Sequence, residues 1–397
     1  MHALRILHRI LSTSAPEIHT KRLASLLAAV EAVVLGSRLT LSDIGRGLHG
    51  RVAVKHNIKR IDRLLGNDSL HIEMPKLYEA LVRQHLAGIA MPLIVIDWSD
   101  LTPDRQWQLL RASVAIEGRS MTLYEEVHPQ LKATSPSVHH SFLTRLATML
   151  PPDCVPILIT DAGFRGTWFK LVNRMGWYWI GRIRNRDMVS PANTAVWAGC
   201  KTLYPCATAQ AQSLGQFDYV RNHPTPCRLV LIKRIEQGRH KTGKLGARVH
   251  SNQSLKSARA QREPWLLAVS PKLDHLSAQA VVAVYAQRMQ IEESFRDLKS
   301  ARFGLGFSAN RSTQNNRLGV LLLIACLASF VLRLIGEVGK MRQMEFQFQS
   351  NTRRSRPVIS VISLALQLVQ HGMAAFPPRE FREALERLRY DHPALQL

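Results

Sequence analysis

Apolar positions recur at helical spacing through the first 88 residues of the chain. Leu23, Leu26, Leu27 and Val30 form one stripe, and Ile58, Ile61, Leu64 and Leu65 form another. The opening MHALRILHRILS is basic and amphipathic, without a long apolar stretch or a small-residue cleavage site, and reads as a helix rather than a signal peptide. The pattern changes at Met91. MPLIVIDWSD is a short apolar run closing on acids, which fits a buried strand ending at Asp97. RASVAI and MTLYEEV follow as strand candidates, and Ser137 to Leu150 returns to helical period. VPILITDAGF repeats the design of buried strand then aspartate, followed by a helix over WFKLVNRM and a strand over WYWIGRIR.

From about Asn185 to Pro264 the periodicity weakens, with one clear strand in CRLVLIKRI. Within it, RHKTGKLGARVHSNQSLKSARAQR is strongly basic and reads as a mobile or DNA-facing loop. WLLAVS is a further strand, and Ser277 to Lys299 reads as one long helix. The tail carries the basic cluster TRRSR and a helix from Phe381 to Arg389. Strands alternating with helices predict an α/β core of mixed sheet and flanking helices. The segmentation is a helical N-terminal DNA-binding domain over 1–88, a first part of the core over 89–186, a β-rich insertion over 187–265, a second core part over 266–338, and a helical C-terminal region over 339–397 that could serve dimerisation.

Charge changes the picture more than length does. Of 397 residues, 53 are Lys or Arg and 29 are Asp or Glu, a net charge of +24. Such a surplus repels itself unless a polyanion compensates it, and nucleic acid is the commonest polyanion. On the second stripe, Lys55, Lys59, Arg60 and Arg63 interleave with the apolar residues, as suits a helix laid on DNA; a solvated face is the plainer alternative. The five cysteines include no CxxC pair and indicate a reducing compartment without a disulfide framework. Cys200, Cys206, His223 and Cys227 lie near one another but at no common zinc-finger spacing. The longest apolar run, Leu318 to Leu332, has fifteen residues. A membrane span needs roughly 20, so the run predicts a buried core helix and no membrane partner.

Candidate chemistry centres on three carboxylates. Asp97 and Asp161 each follow a buried run, where a strand end holds an oxygen ligand rigidly. On a helical wheel with Tyr285 at zero, Arg288, Glu292 and Lys299 fall at about 300°, 340° and 320°, and Arg296 borders them at about 20°. One narrow face thus gathers a tyrosine, two cations and an acid, beside a separate apolar stripe of Val284, Ile291, Phe295 and Leu298 at about 220–280°. A solvated face with i,i+4 pairs accounts for Arg288 with Glu292 but not for Tyr285 and Lys299. Carboxylates that hold divalent ions, beside cations that hold phosphates, suit a phosphodiester. No GxxxxGK[ST], HExxH or GxSxG occurs, so no nucleotide cofactor is implied.

Tyr285-x2-Arg288-x3-Glu292-x6-Lys299, with the two aspartates, resembles the YREK signature and DDE triad of IS-four family transposases. KHNIKRIDRLLGN (55–67), VIDWSD (95–100), LRASVAIEGRSMTLYE (110–125), TDAGF (160–164) and QRMQIEESFRDLKS (287–300) look like the transposon-ten type within that family. The resemblance spans nearly the whole chain and implies an RNase H-like catalytic core. The interval of 131 residues between Asp161 and Glu292 is room for the family's β-rich insertion. It further implies binding to terminal inverted repeats, cleavage of both strands through a hairpin, and strand transfer. Asp97, Asp161 and Glu292 would ligate Mg²⁺, with Mn²⁺ able to substitute. Tyr285, Arg288 and Lys299 would grip phosphates near the cleaved end. Trp265 resembles the family tryptophan that stacks on a flipped base, although a Trp entering an apolar strand is more often core.

The implied partners are double-stranded DNA, both transposon ends and target, and a second copy of the chain in a synaptic dimer. The implied setting is the bacterial cytoplasm, at the nucleoid. Two rival readings are a catalytically silent DNA-binding derivative and an RNase H-fold nuclease without strand transfer. The basic N-terminal region and insertion favour the transposase, because pairing two ends needs more DNA surface than cutting one.

Overall fold

The apolar runs become strands and core helices in a computed structural model of the chain, which describes residues 1–116, 118–184, 187–234, 263–352 and 355–390. Packing divides the chain into two units, Met1–Cys154 with Met289–Leu397, and Val155–Arg288. The five segments expected from the sequence are thus gathered into two bodies. The N-terminal and C-terminal helices share the first of them, because both pack on one central helix.

The first unit opens with α1 (His2–Ser14), α2 (Thr20–Val34), α3 (Leu41–Gly47), α4 (Val54–Leu65) and α5 (Asp68–His85). Thr40 caps α3 and Asn67 caps α5, each side-chain oxygen accepting a first-turn N–H. On α4 the predicted stripe is turned inward, with Ile61, Leu64 and Leu65 buried. The antiparallel strands β1 (Leu93–Asp100), β2 (Trp107–Ile116) and β3 (Arg119–Pro129) run in the order β3-β2-β1 and are followed by α6 (Pro136–Met149).

The second unit holds β4 (Ile157–Thr160), α7 (Gly166–Arg174), β5 (Tyr178–Ile183), β6 (Met188–Pro191), β7 (Ala198–Gly199), β8 (Gln212–Tyr219), β9 (Thr225–Ile232), β10 (Trp265–Val269) and α8 (Ala278–Ala286). Its strand order is β4-β5-β10-β9-β8-β6-β7, with β4 and β5 parallel and the other pairs antiparallel. The weakly patterned segment holds β6, β7, β8 and β9, of which only β9 was plain in the sequence. β8 is polar and at least partly exposed over six of its eight residues, with a register shift between Ser213 and Gly215 that interrupts any apolar alternation. The basic stretch 239–262 lies outside the described residues. Gly181 on β5 leaves room for the Phe169 ring of α7, since a Cβ there would stand 2.4 Å from it. That ring stacks on Trp179 at 4.1 Å between centroids.

The chain returns to the first unit with α9 (Met289–Lys299), α10 (Asn315–Met341), α11 (Val361–Gln370) and α12 (Pro378–Tyr390). α10 extends the fifteen-residue apolar run to a helix of 27 residues, long and apolar enough to cross a membrane by length and composition alone. Its most apolar window is 89% buried by the elements around it, which makes it the core helix of this unit. α11 crosses it closely where Gly336 and Gly339 carry no side chain; a Cβ on Gly336 would lie 2.3 Å from the Val361 carbonyl oxygen.

The expected single helix over 277–299 is two. α8 closes with i→i−3 bonds, Gln287 N–H to the Val284 carbonyl and Arg288 N–H to the Tyr285 carbonyl, and α9 starts afresh at Met289. The wheel drawn from Tyr285 does not carry through that turn, which is also the boundary between the units.

Candidate active site

β1 does not stop at Asp97. Its ladder with β2 continues to the pairing of Asp100 with Gln108, so Asp97 sits within the strand rather than at its end. The preceding Leu93 to Ile96 are almost wholly buried, and Asp97 itself is 9% exposed. Its Oδ1 accepts the Trp98 N–H at 2.8 Å. Directly opposed residues on neighbouring strands point to the same face. The pairings Asp97 with Arg111 and Arg111 with Glu125 therefore set a row of alternating charge across β1, β2 and β3.

α9 lies on that face. The Arg111 guanidinium stands 5.0 Å from the centre of the Phe295 ring, and Lys299 Nζ stands 5.6 Å from the same ring. Lys299 donates to Ser99 Oγ at 2.7 Å and also to the Asp100 carbonyl. Ser99 is two residues beyond Asp97 on the same side of the strand. Burial holds the Lys299 pKa below its ordinary value, with Arg111 adding to the effect and Asp100 opposing it. Two further contacts fasten the helix to β3. Asp297 pairs with Arg119 at 2.6 Å. Ser294 Oγ accepts the Ser120 N–H at 3.0 Å and donates to the Ser120 carbonyl at 3.0 Å. Glu292 projects from the exposed side of this fastened helix, and Arg296 beside it is exposed and paired with Glu293 at 2.7 Å.

Asp161 belongs to the second unit. It follows β4 directly, as expected, and is half-buried. Its Oδ1 accepts the Gly163 N–H at 2.8 Å, a turn that fixes the carboxylate against its own loop. Tyr285 is buried on α8, its ring meeting Trp265 edge-on at 4.9 Å. Burial pushes the Tyr285 hydroxyl up to about 12, Arg288 and Arg182 pull it down, and Asp161 pushes it up. The hydroxyl therefore lies within a cluster of Asp161, Arg182 and Arg288, and it hydrogen-bonds with Arg288. Trp265 is half-buried, with the Arg234 guanidinium 4.4 Å over its ring.

The expected site residues thus fall in two groups. Asp97, Glu292, Arg296 and Lys299 belong to the first unit, and Asp161, Tyr285, Arg288 and Trp265 to the second. Lys55, Lys59, Arg60 and Arg63 are exposed on α4, with Arg60 reaching Ser25 Oγ at 3.3 Å. Among the described residues, no three His, Cys, Asp or Glu side chains are grouped so as to hold a metal ion. Cys200 and Cys227 are buried free thiols and Cys206 is an exposed one. Sequence reading missed Arg119, Asp297, Ser120, Ser294 and Arg182. Asp297 lies 178 residues from Arg119, and no local pattern links them.

The family model for the transposase DDE domain matches residues 89–331, more than half of the 397-residue chain. The chain belongs to the transposase DDE-domain family. Asp97, Asp161 and Glu292 all fall inside the matched span of this transposase. A search of solved structures returns the piggyBac transposase in a synaptic complex with hairpin DNA, at 11% identity and a TM-score of 0.41, covering 92% of this chain and 74% of that one. That likeness is too remote to build on. No curated protein matches.

Proposed function

We propose that the chain is a cut-and-paste DNA transposase of the IS-four type, built on an RNase H-like core and using Asp97, Asp161 and Glu292 as metal ligands. The observation that carries this reading is the family match over 89–331, which contains all three carboxylates. The donor chemistry fits. Three carboxylates are hard oxygen ligands of the kind Mg²⁺ takes while keeping several waters, and Mn²⁺ would be accepted in its place. When bound, two such ions activate the attacking oxygen and stabilise the leaving one.

The protein's own groups supply position. The β1–β2–β3 ladder holds Asp97, the Gly163 turn holds Asp161, and the Arg119–Asp297 and Ser120–Ser294 contacts hold the helix that carries Glu292. Arg288 meets a phosphate near the cleaved end while buried Tyr285 orients it, and Lys299 steadies β1 beside Asp97. Trp265, covered by Arg234 and met edge-on by Tyr285, offers an aromatic face to a flipped base once Arg234 moves aside. The exposed cations of α4 and the net charge of +24 favour terminal-repeat and target DNA as partners, with two copies pairing the ends at the nucleoid. Cleavage then proceeds through a hairpin, followed by strand transfer.

The test is a supercoiled plasmid carrying paired transposon ends, incubated with Mg²⁺. Excision and integration are expected. Binding alone would leave a silent DNA-binding protein, and nicking alone a nuclease. Glu292→Ala is expected to bind DNA normally and cleave none of it; cleavage by that variant removes Glu292 from the chemistry.

A further inference from the structure

A second basic surface lies wholly within the second unit, apart from any residue assigned above. An open groove of about 730 Å³ runs between α7 and the turn joining β8 to β9. Arg165, Lys170 and Arg174 line one wall, and Arg221 and His223 line the other. Thr167, Lys170 and Arg174 are spaced i, i+3, i+7 and so form a row along one face of α7. Across from them, Val220 and His223 adopt positive φ of 66° and 65°, a tight turn with Arg221 and Asn222 at its tip. Arg165, Arg174, Arg221 and His223 are exposed, and Lys170 is half-buried.

The balance of charge in the groove is one-sided. Four permanent cations and a histidine face a single acid, Asp187. That acid is already engaged: it accepts the Arg184 N–H at 3.1 Å and lies against the Tyr219 hydroxyl, whose pKa is raised first by burial and then by Asp187. Among the described residues, none of Arg165, Lys170, Arg174 or Arg221 takes part in an ion pair. An uncompensated row of this kind repels itself, and extended phosphate is the ligand chemistry that relieves it. Guanidinium forks suit phosphate oxygens, while Thr167 and Asn222 add neutral donors of the sort that position a backbone without reading bases.

We propose that this groove is a binding site for the phosphate backbone of double-stranded DNA. It is a contact surface separate from the carboxylates and from the cations of α4. The inference rests on the reading of the chain as a DNA-acting enzyme, yet its test needs no cleavage.

The probe is an unrelated 30-base-pair duplex, bound to the Glu292→Ala chain without divalent ions across a salt series. Each lost phosphate contact lowers the slope of log K against log salt by about 0.9. Arg165→Gln, Lys170→Gln, Arg174→Gln and Arg221→Gln combined should lower it by about 2 to 4 and weaken binding at least tenfold at about 0.1 M salt. A control with the same charge removed from exposed positions elsewhere, Lys132→Gln, Arg302→Gln, Arg379→Gln and Arg382→Gln, should lose less than half as much. Equal losses in the two variants, or an unchanged slope in the groove variant, overturn the proposal. A photo-reactive side chain placed at Thr167 in the otherwise native chain guards against misfolding of the multiple variant. Crosslinking to the duplex, resisted by millimolar inorganic phosphate, supports the site. No crosslink while binding is intact, or full competition by free phosphate, overturns it. Failure of cleavage in the plasmid assay would sink the catalytic reading and leave this result standing.

Discussion

Replacing Arg111 by methionine tests whether the row of charge under α9 is a structural necessity. Arg111 and Glu125 are both almost wholly buried, and they pair through Nη2 at 2.6 Å and Nε at 2.7 Å to Glu125 Oε2. Tyr78 donates its hydroxyl to Glu125 Oε1 at 3.1 Å. Burial raises the Glu125 pKa, and Arg111 is the chief group that opposes the rise. Removing the cation leaves a carboxylate in the core with one hydroxyl for company, a cost of about 3–5 kcal/mol. Loss of the cation over Phe295 adds about 0.5–2 kcal/mol. The pair Arg111→Met with Glu125→Gln removes the buried charge and keeps an acceptor for Tyr78, so it should be at least about 2 kcal/mol more stable than the single variant. A carboxyl whose folded pKa is raised incurs its penalty as pH climbs from the unfolded value through the folded one, so the deficit of Arg111→Met should shrink on acidification. Urea unfolding followed by tryptophan emission suits the measurement, because Trp98 and Trp107 are the tryptophans of the first unit. A single variant within about 1 kcal/mol of the parent, or a double variant as unstable as the sum of the singles, would refute the reasoning.

Two more outcomes can be checked directly. His139 accepts the Trp98 indole N–H at 3.2 Å and is held down to about 4 by burial, then by His128; its neutral form stabilises the fold fully above the unfolded value of about 6.5, and stability should fall by about 2 kcal/mol between pH 7 and pH 5. His139→Gln, which keeps an acceptor, should abolish that part of the pH dependence, and an identical pH profile would count against it. At Gly304 a Cβ would stand 1.8 Å from the Asp297 carbonyl oxygen, so Gly304→Ala should displace the end of α9 at a cost of about 1–3 kcal/mol and reduce cleavage more than DNA binding; unchanged cleavage would separate that loop from the site.

What could be read in the chain followed from local pattern. LIVI before Asp97 and ILIT before Asp161 announce buried strands because unbroken apolar runs have few other destinations. The stripe of α4 and the run inside α10 were equally plain. The break between α8 and α9 was not, because apolar period continues through Gln287 and Arg288 and only the i→i−3 bonds reveal the turn. Asp97 looked like a strand end because polar residues follow it, whereas the ladder to β2 continues with half-exposed side chains. Asp297 carried no signal in the sequence: its partner Arg119 is distant in the chain, and burial of the pair is a tertiary fact.

The break in the helix also changes what the spacing of Tyr285, Arg288, Glu292 and Lys299 means. Tyr285 and Arg288 are anchored by the core of the second unit, and Glu292 and Lys299 by the core of the first. On one straight helix those four positions would be set by a single rotation. With a turn between them, each pair takes its orientation from its own packing: Tyr285 from Trp265 and Arg182, and Glu292 from the contacts that pin α9 to β3. α10 links this arrangement to the rest of the chain, since it packs on β3 on one side and on α1, α2, α5, α11 and α12 on others. The helices outside the matched family span therefore bury the same core helix that backs the strand gripping α9. An apolar surface that large exposed to water is unfavourable at about 25 cal/mol per Å². Whatever the exposed face of α4 meets, the buried faces of the N-terminal helices belong to the support of the helix that carries Glu292.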